Sequence, residues 1–162
     1  MKSATQAALA ATAVLILVAV APAGAQTATQ HPADHTVVTP GDMKWVPAPP
    51  VLPGAQAALL YGDPSKSGPF AMRLKLPANY RIPPHTHPAA EVVTVISGTV
   101  RLGSGNAAEK EKAQALPAGS FFVFPPGSAH YVFNDEEAVV QINSMGPWGL
   151  NFVNPADDPR KQ

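Results

Sequence analysis

The stretch PPHTHPAAEVVTVISG, residues 83–98, sets His85 and His87 one residue apart, follows them with Glu91, and then runs into a β-branched segment. One reading is a loop that happens to be rich in histidine. The other is half of a metal site, and the choice depends on whether a second half exists further along. In an extended chain, residues two apart point to the same face. His85 and His87 therefore share a face and can present two imidazole nitrogens to one point. If the extended conformation persists, Glu91, Val93 and Val95 lie on that face as well. A carboxylate on the inward face of a β-rich core is costly unless it is paired or bound to a cation.

The second half is GSFFVFPPGSAHYVFN, residues 119–134. Gly119 opens it, an apolar run reaches Phe124, Pro125-Pro126-Gly127 marks a tight reversal, and His130 begins another β-prone run. A hairpin at the reversal is expected to bring His130 back beside the preceding strand. The candidate set is then three imidazoles and one carboxylate, which suits a divalent first-row metal. Four protein ligands on an octahedral ion leave two positions for substrate, dioxygen or water.

These two segments resemble the paired motifs of the cupin family. The spacing of His85, His87, Glu91 and Gly98 follows the first motif, and that of Gly119, Pro125, Gly127, His130 and Asn134 follows the second. The one departure is Asn79, which stands where the first motif opens with glycine. Asn is the residue other than glycine that best tolerates positive φ, so the turn is expected to survive. The resemblance implies an all-β fold, a single-domain jelly-roll β-barrel (a double-stranded β-helix). It also implies His85, His87, Glu91 and His130 as metal ligands, with Fe, Mn, Ni, Zn and Cu all admissible. Affinity for the ion is expected to fall below the ~6.5 at which free imidazole protonates. Homodimers built on a sheet edge are a further implication, with SFFVF (120–124) and AVVQINS (138–144) as candidate edges.

The remainder of the chain sets the frame. Residues 1–25 carry Lys2, an apolar Ala-rich run of roughly a dozen residues and Ala23-Gly24-Ala25. This is the pattern of a cleavable signal peptide, and the run is short of the ~20 residues of a membrane span. A periplasmic or secreted protein, free of the membrane after cleavage, is the expectation. Residues 26–40 read as a flexible leader that includes His31 and His35, residues 41–153 as the barrel, and residues 154–162 as a polar tail. The mature length of about 137 residues suits one domain.

No cysteine is present, which removes thiolate nucleophiles, Cys ligands and disulfides. Acidic and basic residues balance at 11 each, so nucleic acid is not an expected partner. Short apolar runs separated by Pro and Gly read as strands, and only NAAEKEKAQAL (106–116) reads as a helical piece.

Around the candidate site, parity places Val93, Val95 and Val132 inward, as apolar walls suited to a small organic ligand. Arg81, four before His85, is a candidate for holding a substrate carboxylate. Gln141 or Asn143 is a candidate neutral donor, and Arg73 and Lys75 alternate with apolar neighbours without declaring which face is inner. Tyr80, Trp148 and Phe152 read as packing aromatics. No serine sits beside a histidine that is free to act as a base. Three functions remain in view: a metal-dependent dioxygenase-type enzyme with Glu91 as catalytic residue, a Lewis-acid isomerase, lyase or hydrolase, and a non-catalytic binder of metal or small ligand.

Overall fold

The computed structural model describes residues 35–161. The signal-peptide reading for residues 1–25, most of the leader and His31 lie outside the described residues. Eleven strands follow in order: β1 (Val46–Pro47), β2 (Gln56–Tyr61), β3 (Gly68–Leu76), β4 (Arg81–Thr86), β5 (Glu91–Ser97), β6 (Thr99–Ser104), β7 (Gln114–Pro117), β8 (Phe121–Phe124), β9 (His130–Phe133), β10 (Ala138–Gly146) and β11 (Asn151–Phe152). They form two antiparallel sheets, ordered β1-β2-β3-β10-β5-β8 and β11-β4-β9-β6-β7. The sheets face each other across the core and are not closed into a hydrogen-bonded barrel, so the expected jelly roll is present as a two-sheet sandwich.

Alternation builds the core. On β3, Phe70, Met72, Leu74 and Leu76 are buried; on β10, Ala138, Val140 and Ile142; on β5, Val93 and Val95. Side chains of period two on facing sheets are what a half-buried strand requires. The same alternation turns Arg73 and Lys75 outward, which answers the question left open by the sequence. Lys75 Nζ lies 4.6 Å above the ring of Trp45.

The chain changes sheet at almost every landmark of the two motifs. It crosses from β3 to β4 through Asn79, from β4 to β5 through residues 87–90, and from β5 to β6 through Gly98. It crosses again between β7 and β8 at Gly119, between β8 and β9 at Pro125-Pro126-Gly127, and between β9 and β10 at Asn134. Asn79 holds φ at 59°, so asparagine does keep the turn that glycine would make. Asn134 is buried, and its Nδ2 donates to the carbonyls of Pro77 (2.7 Å) and Glu136 (2.5 Å), binding two crossings together.

Several expectations need correction. The turn at 125–127 is not a hairpin: β8 pairs with β5, whereas β9 pairs with β4 and β6 in the other sheet. The helical piece at 106–116 is a single 3-10 turn at Lys110–Lys112 followed by β7, because residues from Gln114 on pair with β6 instead of continuing a helix. The tail at 154–162 folds, through residue 161, into 3-10 turns at Pro155–Asp157 and Pro159–Lys161 pinned by a buried Asp158. Of the two candidate dimer edges, AVVQINS is central, between β3 and β5, and only β8 lies at an edge.

Gly98 and Gly127 separate two reasons for a glycine at a turn. Both have positive φ, 70° and 75°. A Cβ on Gly98 would meet the Glu137 carbonyl oxygen at 2.4 Å, while one on Gly127 would meet nothing within 4 Å. Gly127→Ala is expected to cost about 1–2 kcal/mol, the left-handed backbone penalty alone. Gly98→Ala should cost clearly more, since main chain must also move. Urea unfolding of both variants, compared at equal m-value, checks the order.

Candidate metal centre

Two pairings of strands assemble the site. In the β4–β9 ladder His85 stands opposite His130, and in the β5–β8 ladder Glu91 stands opposite Phe124. The two crossings at this end of the sandwich are clasped by the Gly127 amide, which donates to the His87 carbonyl at 2.9 Å. The Ser128 amide bonds the Pro125 carbonyl, with Pro126 and left-handed Gly127 at the two central positions of the turn. That residue order is the one a type II turn needs.

The result is a cluster of His85, His87 and His130, all buried, whose candidate ligand atoms lie within 4.8 Å of one another. Each imidazole is held from behind. His85 Nδ1 meets the Pro83 carbonyl at 2.7 Å, His87 Nδ1 the Gly149 carbonyl at 2.8 Å, and His130 Nδ1 the Ser128 carbonyl at 3.1 Å. A carbonyl only accepts, so each Nδ1 carries the proton and each neutral ring offers a bare Nε2 lone pair. Stacking fixes the planes further: Trp148 lies on His87 (centroids 4.5 Å, 10°) and Phe124 on His130 (4.1 Å, 8°).

Glu91 is 6 % exposed and enters the same space. Its Oε2 lies 3.1 Å from His130 Nε2 and its Oε1 3.4 Å from His87 Nε2. With the Nδ1 atoms protonated, these are acceptors facing acceptors. His87 Nε2 is buried and, among the described residues, has no hydrogen-bond donor to satisfy it. A cation at this point would satisfy all of these lone pairs together, so the residues fit a metal ion.

The other expected residues fall elsewhere. The β4–β9 register shifts between Ile82 and His85, at Pro83 and Pro84, neither of which has an N–H to give the ladder. The shift breaks the parity that would have put Arg81 on the histidine face. Arg81 is exposed and lines a separate cleft with Tyr80 and Asp157. Gln141 points outward from β10 and accepts from Arg73 Nε at 3.1 Å, paired across the sheet, so it is not a donor at the ion. Val93 and Val132 do wall the site, joined by Phe122, Val140 and Ile142, while Val95 lies deeper in the core.

Sequence reasoning missed the carbonyls of Pro83, Ser128 and Gly149, and it preferred packing to lining the barrel mouth for Trp148, which stacks on His87. Two of those carbonyls stand two residues before a histidine of the cluster, a local signal that was available. Gly149 and Trp148 lie beyond both motifs, and no spacing marks them.

Facing sheets, crossings marked by both motifs and a histidine cluster at one end define this protein as a cupin. The chain belongs to the family described as Domain of unknown function (DUF4437), whose model matches residues 36–156. Among curated relatives, Putative germin-like protein 2-3 of Oryza sativa subsp. japonica is 37 % identical over 79 residues, covering 44 % of this chain and 35 % of that protein. Germin-like protein 3-1 of the same organism is 33 % identical over 105 residues, 64 % of this chain and 41 % of that protein. The chain thus spans only 35 % and 41 % of the length of these relatives. Among solved structures, the polyketide cyclase RemF from Streptomyces resistomycificus superposes with a TM-score of 0.65 at 16 % identity, over 78 % of this chain and 91 % of that one. That likeness speaks to the fold.

The metal-free cluster carries a pH signature. Burial first, then the neighbouring His130, pushes His85 down from 6.5 to about 3, and burial likewise lowers His87. Between pH 6.5 and about 3 the unfolded chain therefore binds more protons at these positions than the folded one, and stability falls as pH falls. Metal-stripped protein should lose thermal stability steadily from pH 6.5 to 5, above the range of most carboxylates. The slope should be shallower in His85→Gln, measured by calorimetry at matched ionic strength.

Proposed function

We propose that the chain is an exported, single-domain, mononuclear metal-dependent oxygenase of the cupin class acting on a small organic substrate. The observation that carries the reading is the acceptor-only cage: three imidazole nitrogens and a carboxylate at one buried point, with His87 Nε2 lacking a hydrogen-bond donor among the described residues. We assign His85, His87, Glu91 and His130 as the ligands of a divalent transition metal, of which Fe, Mn, Ni, Zn and Cu all suit this donor set. When bound, the ion supplies an open-coordination centre for redox chemistry. Glu91, in reach of two histidines, also serves as proton acceptor. The walls of Val93, Phe122, Val132 and Ile142 keep bulk water away. Free space beside the cluster is about 30 Å³, room for one or two molecules of the size of water or dioxygen. That favours a diatomic co-substrate at the ion over a second organic reactant.

Two measurements test this. Protein purified without added ions should hold about one equivalent of transition metal. His130→Ala should lower that content at least about tenfold with an unchanged far-ultraviolet circular dichroism spectrum. A collapsed spectrum would instead make His130 a core element. Oxygen uptake is then expected with diketones, phenols or flavonoids in the Fe, Mn or Ni form. Its absence across all three would sink the oxygenase assignment. Turnover of sugars or keto acids under nitrogen would point to Lewis-acid chemistry, and ligand-induced stabilisation without turnover to a binding protein.

A further inference from the structure

Beside the metal pocket lies a second and larger cavity of about 390 Å³, within the roughly 300–1,000 Å³ typical of sites for small organic ligands. Leu52, Leu74, Trp148 and Leu150 wall both spaces, so these four side chains are the partition between them. The inner space, about 30 Å³, has no room for an organic body. A substrate that reaches the histidines must therefore be seated mainly on the far side of the partition.

The outer cavity has an uneven chemistry. Its walls are mostly proline, leucine, valine and methionine side chains. Ser65 is at the rim, but its hydroxyl is committed to Asp63 at 2.7 Å. The charged wall is Arg160. Its Nε and Nη2 form a fork on Asp158, both at 2.8 Å, and Nη2 also reaches the Leu150 carbonyl at 3.5 Å. Asp158 is itself buried and is not a wall of the cavity. Nη1 has no partner among the described residues. A guanidinium already held by a carboxylate loses little freedom when its remaining N–H groups are used, and it is shaped to receive a carboxylate or another planar acceptor.

The partition itself is lightly held. The Trp148 indole N–H is shielded from solvent and has no partner among the described residues. The ring is fixed by its stack on His87 and by an edge contact to Phe70 with centroids 5.7 Å apart. No side-chain hydrogen bond is broken when it turns.

We propose that the outer cavity seats the organic substrate, a largely apolar carboxylate, with its carboxylate on Arg160 and its reacting end directed past Trp148 toward the histidines. The direction of the reacting end rests on the metal-centre reading; the carboxylate site does not. The test titrates the full chain, metal-loaded and metal-stripped, with 3-phenylpropionate and with its uncharged amide, by calorimetry or ligand-observed NMR. The acid should bind both forms, and the amide should bind about tenfold more weakly. Arg160→Gln should weaken the acid about tenfold or more and leave the amide unchanged. Ser65→Trp, at the exposed rim and clear of the Asp158 pair, should block both ligands, and it preserves a readout if Arg160→Gln does not fold.

Equal affinity for acid and amide in the unaltered chain would overturn the proposal. So would an acid that binds only the metal-loaded form and ignores Arg160→Gln, because the carboxylate would then sit on the ion, with the metal reading intact. Arg160-dependent binding by a chain that retains no metal would support the cavity assignment while removing the metal centre.

Discussion

The hydrogen bond from each histidine Nδ1 to a main-chain carbonyl is the interaction on which the site depends. It settles the tautomer, and with it the chemistry, because it leaves three Nε2 lone pairs aimed into one small buried space. The carbonyls belong to segments that are not free to drift. Pro83 precedes His85 in a strand whose φ is restricted at two successive prolines, and Ser128 closes the turn that carries the chain into β9. Gly149 approaches from the connection after β10. Three separate pieces of backbone thus aim three rings, and the alignment survives only while the sheets hold their registers.

Such a centre is expensive to build. Three imidazoles and a carboxylate are withdrawn from water, and the lowered titration of His85 reflects that desolvation directly. The surrounding sandwich supplies the compensation through the apolar alternation of β3, β5 and β10. Glu91 belongs to the same inward face as Val93 and Val95, so the residue that most resists burial sits on the strand with some of the most buried apolar side chains. A bound cation would convert the least favourable part of this core into a favourable one, which would link metal affinity to stability.

The motifs made the two-sheet fold and the four convergent side chains legible because each landmark has a local physical reason. Left-handed backbone at Asn79, Gly98 and Gly127, with prolines near the first and the last of these, marks where the chain leaves one sheet for the other. What stayed hidden were features that depend on pairing between distant segments. The parity argument reached from His85 to Arg81 across two prolines, and the register shift there turned Arg81 outward. Gln141 was ambiguous until the partner strands were known, since alternation gives two faces and does not say which is inside. The segment 106–116 looked helical from its Glu and Lys content at 109–112, although pairing with β6 makes its end, from Gln114 on, a strand. Trp148 and Gly149 bear no spacing relation to the histidines, and only the fold brings them together.

The connection after β10 joins the two cavities in a way that spacing does not suggest. Within residues 148–150, Trp148 stacks on His87, the Gly149 carbonyl accepts the hydrogen bond from His87 Nδ1–H, and Leu150 walls both spaces while its carbonyl accepts from Arg160. An outward movement of Trp148 that admits a ligand acts on the same short segment that orients His87. A ligand carboxylate on Arg160 would act on it from the other side, through Leu150. Admission of a ligand and alignment of the His87 ring would therefore both be carried by three consecutive residues, so that a change in one would be felt by the other.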